Sequence, residues 1–171
     1  HQTITVFLNQ LQYERCGLSA SAIGYVYMAA TLAGLLGVCS SFFAKKTGIK
    51  MAGALSFITA AASCLILALT GNAGLSIGGI LILRISHSLF QPLQMELQNR
   101  QIHSDHRATA LSINAMITDS IGAGTNLAFG ALAEKNLKAS FLFGLLLCLM
   151  GLCLFLIWHS RSKRFSGSRI A

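Results

Sequence analysis

The stretch ILILRISHSLFQPLQMELQNR, Ile80–Arg100, sets an arginine just behind four residues as apolar as lipid tails. It then brings His87, Gln91, Gln94 and Gln98 at spacings of three or four. Residues three and four apart share one face of an α-helix, so these groups form a stripe with Arg84. In water this is an ordinary amphipathic helix. In a bilayer the stripe has to face other protein or a water-filled path, because hydrocarbon supplies no hydrogen bonds. The solvent around the helix therefore decides how the stretch is read.

Composition identifies that solvent. The chain has 171 residues, of which 54% are hydrophobic and 11% charged, with a single proline. Its mean hydropathy is +0.64. A soluble domain carries about 25% charged residues, and one core of this size could not hide so much apolar surface. The membrane class follows. The net charge of +8 lies between apolar runs and at the C-terminus. That arrangement fits loops beside an anionic lipid surface and lacks the basic, aromatic-laced face of a nucleic-acid binder, so no nucleic-acid partner is expected. Cys39, Cys64, Cys148 and Cys153 sit in apolar runs as small hydrophobes, and Cys16 stands alone in a polar loop. His103 and His106 form an HxxH without a strong third ligand. No metal or cofactor is expected, and the absence of HExxH, GxSxG and paired cytosolic carboxylates argues against an enzyme.

Five runs are long enough to span a hydrocarbon core, which takes about 20 helical residues. They cover Ala22–Phe43, Met51–Thr70, Leu75–Leu97, Ala108–Ala133 and Ala139–Trp158. Short polar punctuation separates them, which makes consecutive helices antiparallel neighbours. The period-two alternation of a membrane barrel is missing, so the expected class is an all-α polytopic bundle. The opening HQTITVFLNQLQ places Gln2, Thr5, Asn9 and Gln12 on one helical face and reads as the last turns of a helix that starts further upstream. The organisation expected is a bundle over residues 1–159, with one partial and five whole spans, and a basic tail over residues 160–171.

Lysine and arginine counts orient the bundle. Alternate loops and the tail hold Lys45, Lys46, Lys50, Arg100, Arg107, Arg161, Lys163, Arg164 and Arg169, whereas the opposite loops hold Arg15, Lys135 and Lys138. The richer side, with the C-terminus, is expected in the cytoplasm. Arg84 then lies about 13 Å into its span and Asp119 about 16 Å into the next from the opposite side. In a core about 30 Å thick both come near the midplane. Two readings fit them: an ion pair that only fixes packing, or groups lining a substrate or proton path. Intramembrane ionisable residues favour the path.

Polar stripes point the same way. Arg84, His87, Gln91, Gln94 and Gln98 run along one span, and Thr109, Ser112, Asp119, Gly122 and Asn126 along the next. With Gln2, Thr5, Asn9 and Gln12 of the opening segment they suggest a polar cavity. Single glutamines also serve as interhelical glue. Ala29, Ala33 and Gly37, and again Ser120, Gly124 and Ala128, make small-residue ridges suited to close helix packing. Met51–Thr70 and Ala139–Trp158 carry little polarity and are expected to face lipid. Pro92 should kink its helix and free a carbonyl near Gln91. Glu96 reads as a charge partner near the helix end.

In this layout the chain resembles the C-terminal half of a major facilitator superfamily transporter, from the end of helix seven through helix twelve. The most specific match is SFFAKKTGIK, Ser41–Lys50, which is similar to the family's short loop signature. Ala44, Lys46, Gly48 and Lys50 fit that signature, while Lys45 replaces its acidic residue and Ser41 its leading glycine. RATALSINAMITDSIGAGTNLAFGALAE, Arg107–Glu134, is similar to helix eleven of bacterial members. The resemblance implies two six-helix halves, with substrate between them and alternating access by rocking. It implies that helices seven and ten line the cavity and that nine and twelve face lipid. The expected function is proton-coupled efflux of small or amphipathic compounds across a bacterial inner membrane, without catalysis. Arg84, Asp119, Gln91, Asn126, Gln2 and Asn9 would line the proton or substrate path, and Lys46, Gly48 and Lys50 the gating loop. The partners implied are the lipid bilayer, an N-terminal half, a small-molecule substrate and protons. Alternatives are a proton-linked uptake symporter and a membrane scaffold that does not transport.

Overall fold

The computed structural model describes residues 4–101 and 107–167. Over these residues the chain is helical apart from short turns, and no strand is present. A π-type turn, Ile4–Leu8, leads into α1 (Asn9–Arg15). Next, α2 (Ala20–Gly34) passes through a 3-10 stretch, Leu35–Cys39, into α3 (Ser40–Thr47). The long helices follow: α4 (Ile49–Leu69), α5 (Ala73–Gln101), α6 (Arg107–Lys135) and α7 (Leu137–Gly167).

The polar punctuation acts through its local chemistry. Ser19 caps α2 by accepting the Ala22 N–H at 3.3 Å. The Asn72 side chain accepts the N–H groups of Gly74 (2.8 Å) and Leu75 (3.3 Å) and so opens α5. Asn136 accepts the Lys138 N–H at 2.9 Å between α6 and α7. Such side-chain acceptors satisfy orphan donors at a helix start. Gly48 turns the chain from α3 to α4 at φ +80°, a conformation that strains any residue bearing a Cβ.

Among the described residues, four segments are long and apolar enough to cross a membrane: Ala20–Cys39, Ile49–Leu69, Ala73–Asn99 and Leu137–Trp158. The fifth expected whole span, α6, has 29 residues and ample length, but it is not among these four. Its polar stripe, Thr109 to Asn126, dilutes the apolar run. α7 continues as helix beyond Trp158 to Gly167, so much of the expected tail extends the last helix.

Packing centres on α4, which lies between α7 and α5. Small residues make this possible: Gly53, Ser56, Ala60, Ser63, Cys64 and Ala68 are buried along α4. Gly53 and Gly151 form a reciprocal fit. A Cβ added at Gly53 would collide with the Phe155 ring, and one at Gly151 would lie 2.6 Å from Phe57 Cε1. Each helix thus receives the other's phenylalanine over a glycine, with the two ring centroids 6.0 Å apart. Hydroxyls tie the remaining joints. Thr59 and Ser86 Oγ atoms lie 2.7 Å apart across α4 and α5, and Ser140 Oγ donates to the Phe129 carbonyl at 3.1 Å across α6 and α7. The core, including Leu8, Tyr13, Cys64, Leu67, Ile80, Leu83 and Phe141, sits where α1, α4, α5 and α7 meet.

Three expectations change. Half of the α4 window is buried, so only one side of it, with Met51, Ile58 and Leu69, is exposed for lipid. The ridge Ala29–Ala33–Gly37 packs at Gly37 alone of its two ends, since Ala29 is exposed. Ser120 and Gly124 are exposed, with nothing near Gly124 among the described residues, so these two make no close helix contact there. The apolar exposure of Val38, Leu127 and Leu154 is what lipid contact requires of a membrane bundle.

Candidate functional site in the cleft between α2 and α5

The polar stripe of α5 opens onto a cleft of about 400 Å³ formed with α2 and the 3-10 stretch. Arg84, His87, Ser88 and Gln91 line it from α5; Thr31, Gly34 and Gly37 line it from the other wall. Glycine brings the walls together. A Cβ at Gly37 would lie 2.9 Å from the Ser88 carbonyl oxygen, a backbone atom with little freedom to move. A Cβ at Gly34 would lie 3.8 Å from Arg84 Nε, so the guanidinium lies over the bare backbone of α2.

Pro92 shapes the same wall. α5 runs through it without a break. Proline has no N–H, so the carbonyl four residues earlier loses its helical donor. That carbonyl belongs to Ser88, not to a residue at Gln91, and it is the one Gly37 approaches. Ser88 Oγ instead donates back to the Arg84 carbonyl at 2.9 Å. Opposite these groups the helix tightens to 3-10 geometry at Leu35–Cys39, where mid-helix irregularity often marks a hinge.

The other expected path residues lie elsewhere. Asn9 is buried; it donates to the Thr5 carbonyl at 2.7 Å and accepts from Tyr27 Oη at 3.0 Å, which ties α1 to α2. Gln12, fully buried, donates to the Thr70 carbonyl at 3.1 Å and to Ser76 Oγ at 3.0 Å, which joins α1 to the α4–α5 turn. These two serve as interhelical glue. Gln2, like His103 and His106, lies outside the described residues. Asn126 borders a separate, largely apolar groove of about 740 Å³ between α1 and α6, with Leu8, Leu11, Leu127 and Glu134.

Asp119 does not meet Arg84. It is exposed on α6, which packs chiefly on α7, and no ion pair joins the two among the described residues. Consecutive antiparallel helices need not be lateral neighbours once another helix takes the intervening place. In the segment expected to form the gating loop, Lys46 and Lys50 are exposed on either side of the Gly48 turn. Thr31, Gly34 and Ser88 escaped the sequence reading. For Thr31 and Gly34 the signal was the i, i+3, i+6 run Thr31–Gly34–Gly37, which faces α5 more directly than the ridge through Ala29 and Ala33.

These features define an all-α, polytopic membrane protein with a polar cleft between two spans, the construction of a solute carrier. The sequence model of the Major Facilitator Superfamily matches residues 1–126. The chain belongs to that superfamily, whose members are secondary transporters. No curated protein and no solved structure matches it.

Proposed function

We propose that the chain forms the C-terminal half of a transporter that exports small or amphipathic compounds by alternating access, with Asp119 carrying the coupled proton. The observation behind this reading is the α2–α5 cleft, where Arg84, His87 and Gln91 converge around open space within an apolar span. A charge there needs water or a polar guest. The 3-10 stretch supplies a compliant joint in the wall that would rock. The polar side of α6, with Thr109, Ser112 and Asp119 exposed, is the surface that a second bundle would close. The setting is the inner membrane of a bacterial cell, with the C-terminus cytoplasmic.

A scaffold would use its polar residues as Asn9 and Gln12 are used. Among the described residues, the side chains of Arg84 and Asp119 take part in no such bond. The test uses the full-length protein in proteoliposomes with an imposed proton gradient. Flux is followed for an anionic dye, anilinonaphthalene sulfonate, and a cationic one, ethidium. Gradient-driven flux of at least one is expected. Asp119→Asn should abolish that flux yet keep counterflow, which moves no net proton. Gradient-driven flux unchanged in Asp119→Asn would remove the proton role, and no protein-dependent flux of either dye would overturn the reading.

A further inference from the structure

We infer that the α2–α5 cleft binds the carboxylate or phosphate of a small organic anion, with Arg84 as its charge partner; as the substrate class of the transport site, this rests on the reading above. Arginine keeps its charge in proteins, and its planar fork matches the oxygens of carboxylates and phosphates two at a time. No aspartate or glutamate lines the cleft among the described residues, so no side chain there already neutralises it. Of the neighbouring groups, the Gln91 amide can donate a hydrogen bond to an anionic oxygen; the Thr31 and Ser88 hydroxyls donate to the Tyr27 and Arg84 carbonyls, each at 2.9 Å, and would turn toward the guest on binding. A cationic guest would meet Arg84 and find no carboxylate to offset it.

Size and depth narrow the class. About 400 Å³ falls within the range of small-molecule sites, about 300–1,000 Å³. Arg84 lies well inside the Ala73–Asn99 span, away from the headgroup levels at its two ends. That depth favours a soluble organic anion over a lipid phosphate. Gly34 holds the floor open beneath the guanidinium, where a larger side chain would compete for the same space.

The experiment is thermal unfolding of the full-length protein in phosphatidylcholine nanodiscs. Benzoate and phenyl phosphate should raise the melting temperature; neutral benzamide and cationic benzylamine should not. Arg84→Gln should abolish the shift or weaken anion affinity at least tenfold, and Arg84→Lys should keep part of it. Gly34→Leu retains the arginine but fills the floor, and it should also lose the shift; if Arg84→Gln fails to fold, this variant decides. An equal shift with benzamide or benzylamine, or a full benzoate shift in Arg84→Gln or Gly34→Leu, overturns the inference. So does an Arg84-dependent stabilisation by phosphatidylglycerol nanodiscs without a response to soluble anions, which would mark a lipid site. Ethidium flux without benzoate binding would spare the transport reading and sink the anion site. Arg84-dependent benzoate binding in a protein without flux would do the reverse.

Discussion

A charged side chain at the bilayer midplane costs about 2.5–3.5 kcal/mol to insert, so Arg84 persists only where polar groups or water reach it. The cleft sets His87, Ser88, Gln91 and Thr31 around the open space beside it, and Asp119 takes no part. Removing the two charges should therefore have independent effects. In a double-mutant cycle with Arg84→Gln and Asp119→Asn, stability changes should add to within about 0.5 kcal/mol. A coupling above about 1 kcal/mol would show that they pair after all. Gly37 carries a second prediction. Because its missing Cβ would face a backbone carbonyl 2.9 Å away, Gly37→Val should destabilise by about 1–3 kcal/mol. Unfolding in mixed micelles measures this, and a neutral result would mean the two walls separate easily.

At the scale of elements, the α4–α7 contact does most to organise the bundle. Lipid tails are as apolar as leucine, so helices associate in a membrane through close packing and hydrogen bonds rather than through escape from water. Gly53 and Gly151 meet that requirement by admitting Phe155 and Phe57. Gly53→Val should cost about 1–3 kcal/mol through overpacking. Phe155→Ala alone should cost about 3–5 kcal/mol through the cavity it leaves. The double variant should lose less than the sum, since valine then enters space the ring has vacated. Strict additivity in chemical unfolding would show that the two helices do not interlock there. The 3-10 stretch contrasts with this rigid pair, since it lies against the cleft and leaves Leu35 and Val38 exposed.

For the whole molecule the decisive quantity is charge across the membrane. Assigned to alternate loops and the tail by sequence order, nine lysines and arginines fall to one side and three to the other, which predicts the C-terminus inside. Asn72 and Asn136 lie in exposed turns at one end of the bundle, and Lys46 is exposed at the other. In a cysteine-free background, Asn72→Cys and Asn136→Cys should react with an impermeant maleimide in intact cells. Lys46→Cys should react only after permeabilisation. The opposite pattern would invert the topology.

The amino-acid sequence by itself determined the solvent, the helical class, the turns and the polar stripe of α5, because each depends on local chemistry. Hydropathy identifies a span without reference to its neighbours, Gly48 and Asn72 shape their own turns, and a three-four spacing puts Arg84, His87 and Gln91 on one face. Only the tertiary structure decided which faces meet. The same glutamine or asparagine can line a cavity or bond to a neighbouring helix: Gln12 reaches Ser76 across 64 residues of chain, and Asn9 reaches Tyr27 across 18. Serines and glycines on α4, weak signals in one dimension, became the central contact because close approach depends on two surfaces at once. Asp119 matched Arg84 in depth, but depth says nothing about azimuth. Helix rotation and lateral order are set by packing against all neighbours together, which no single stretch of sequence contains.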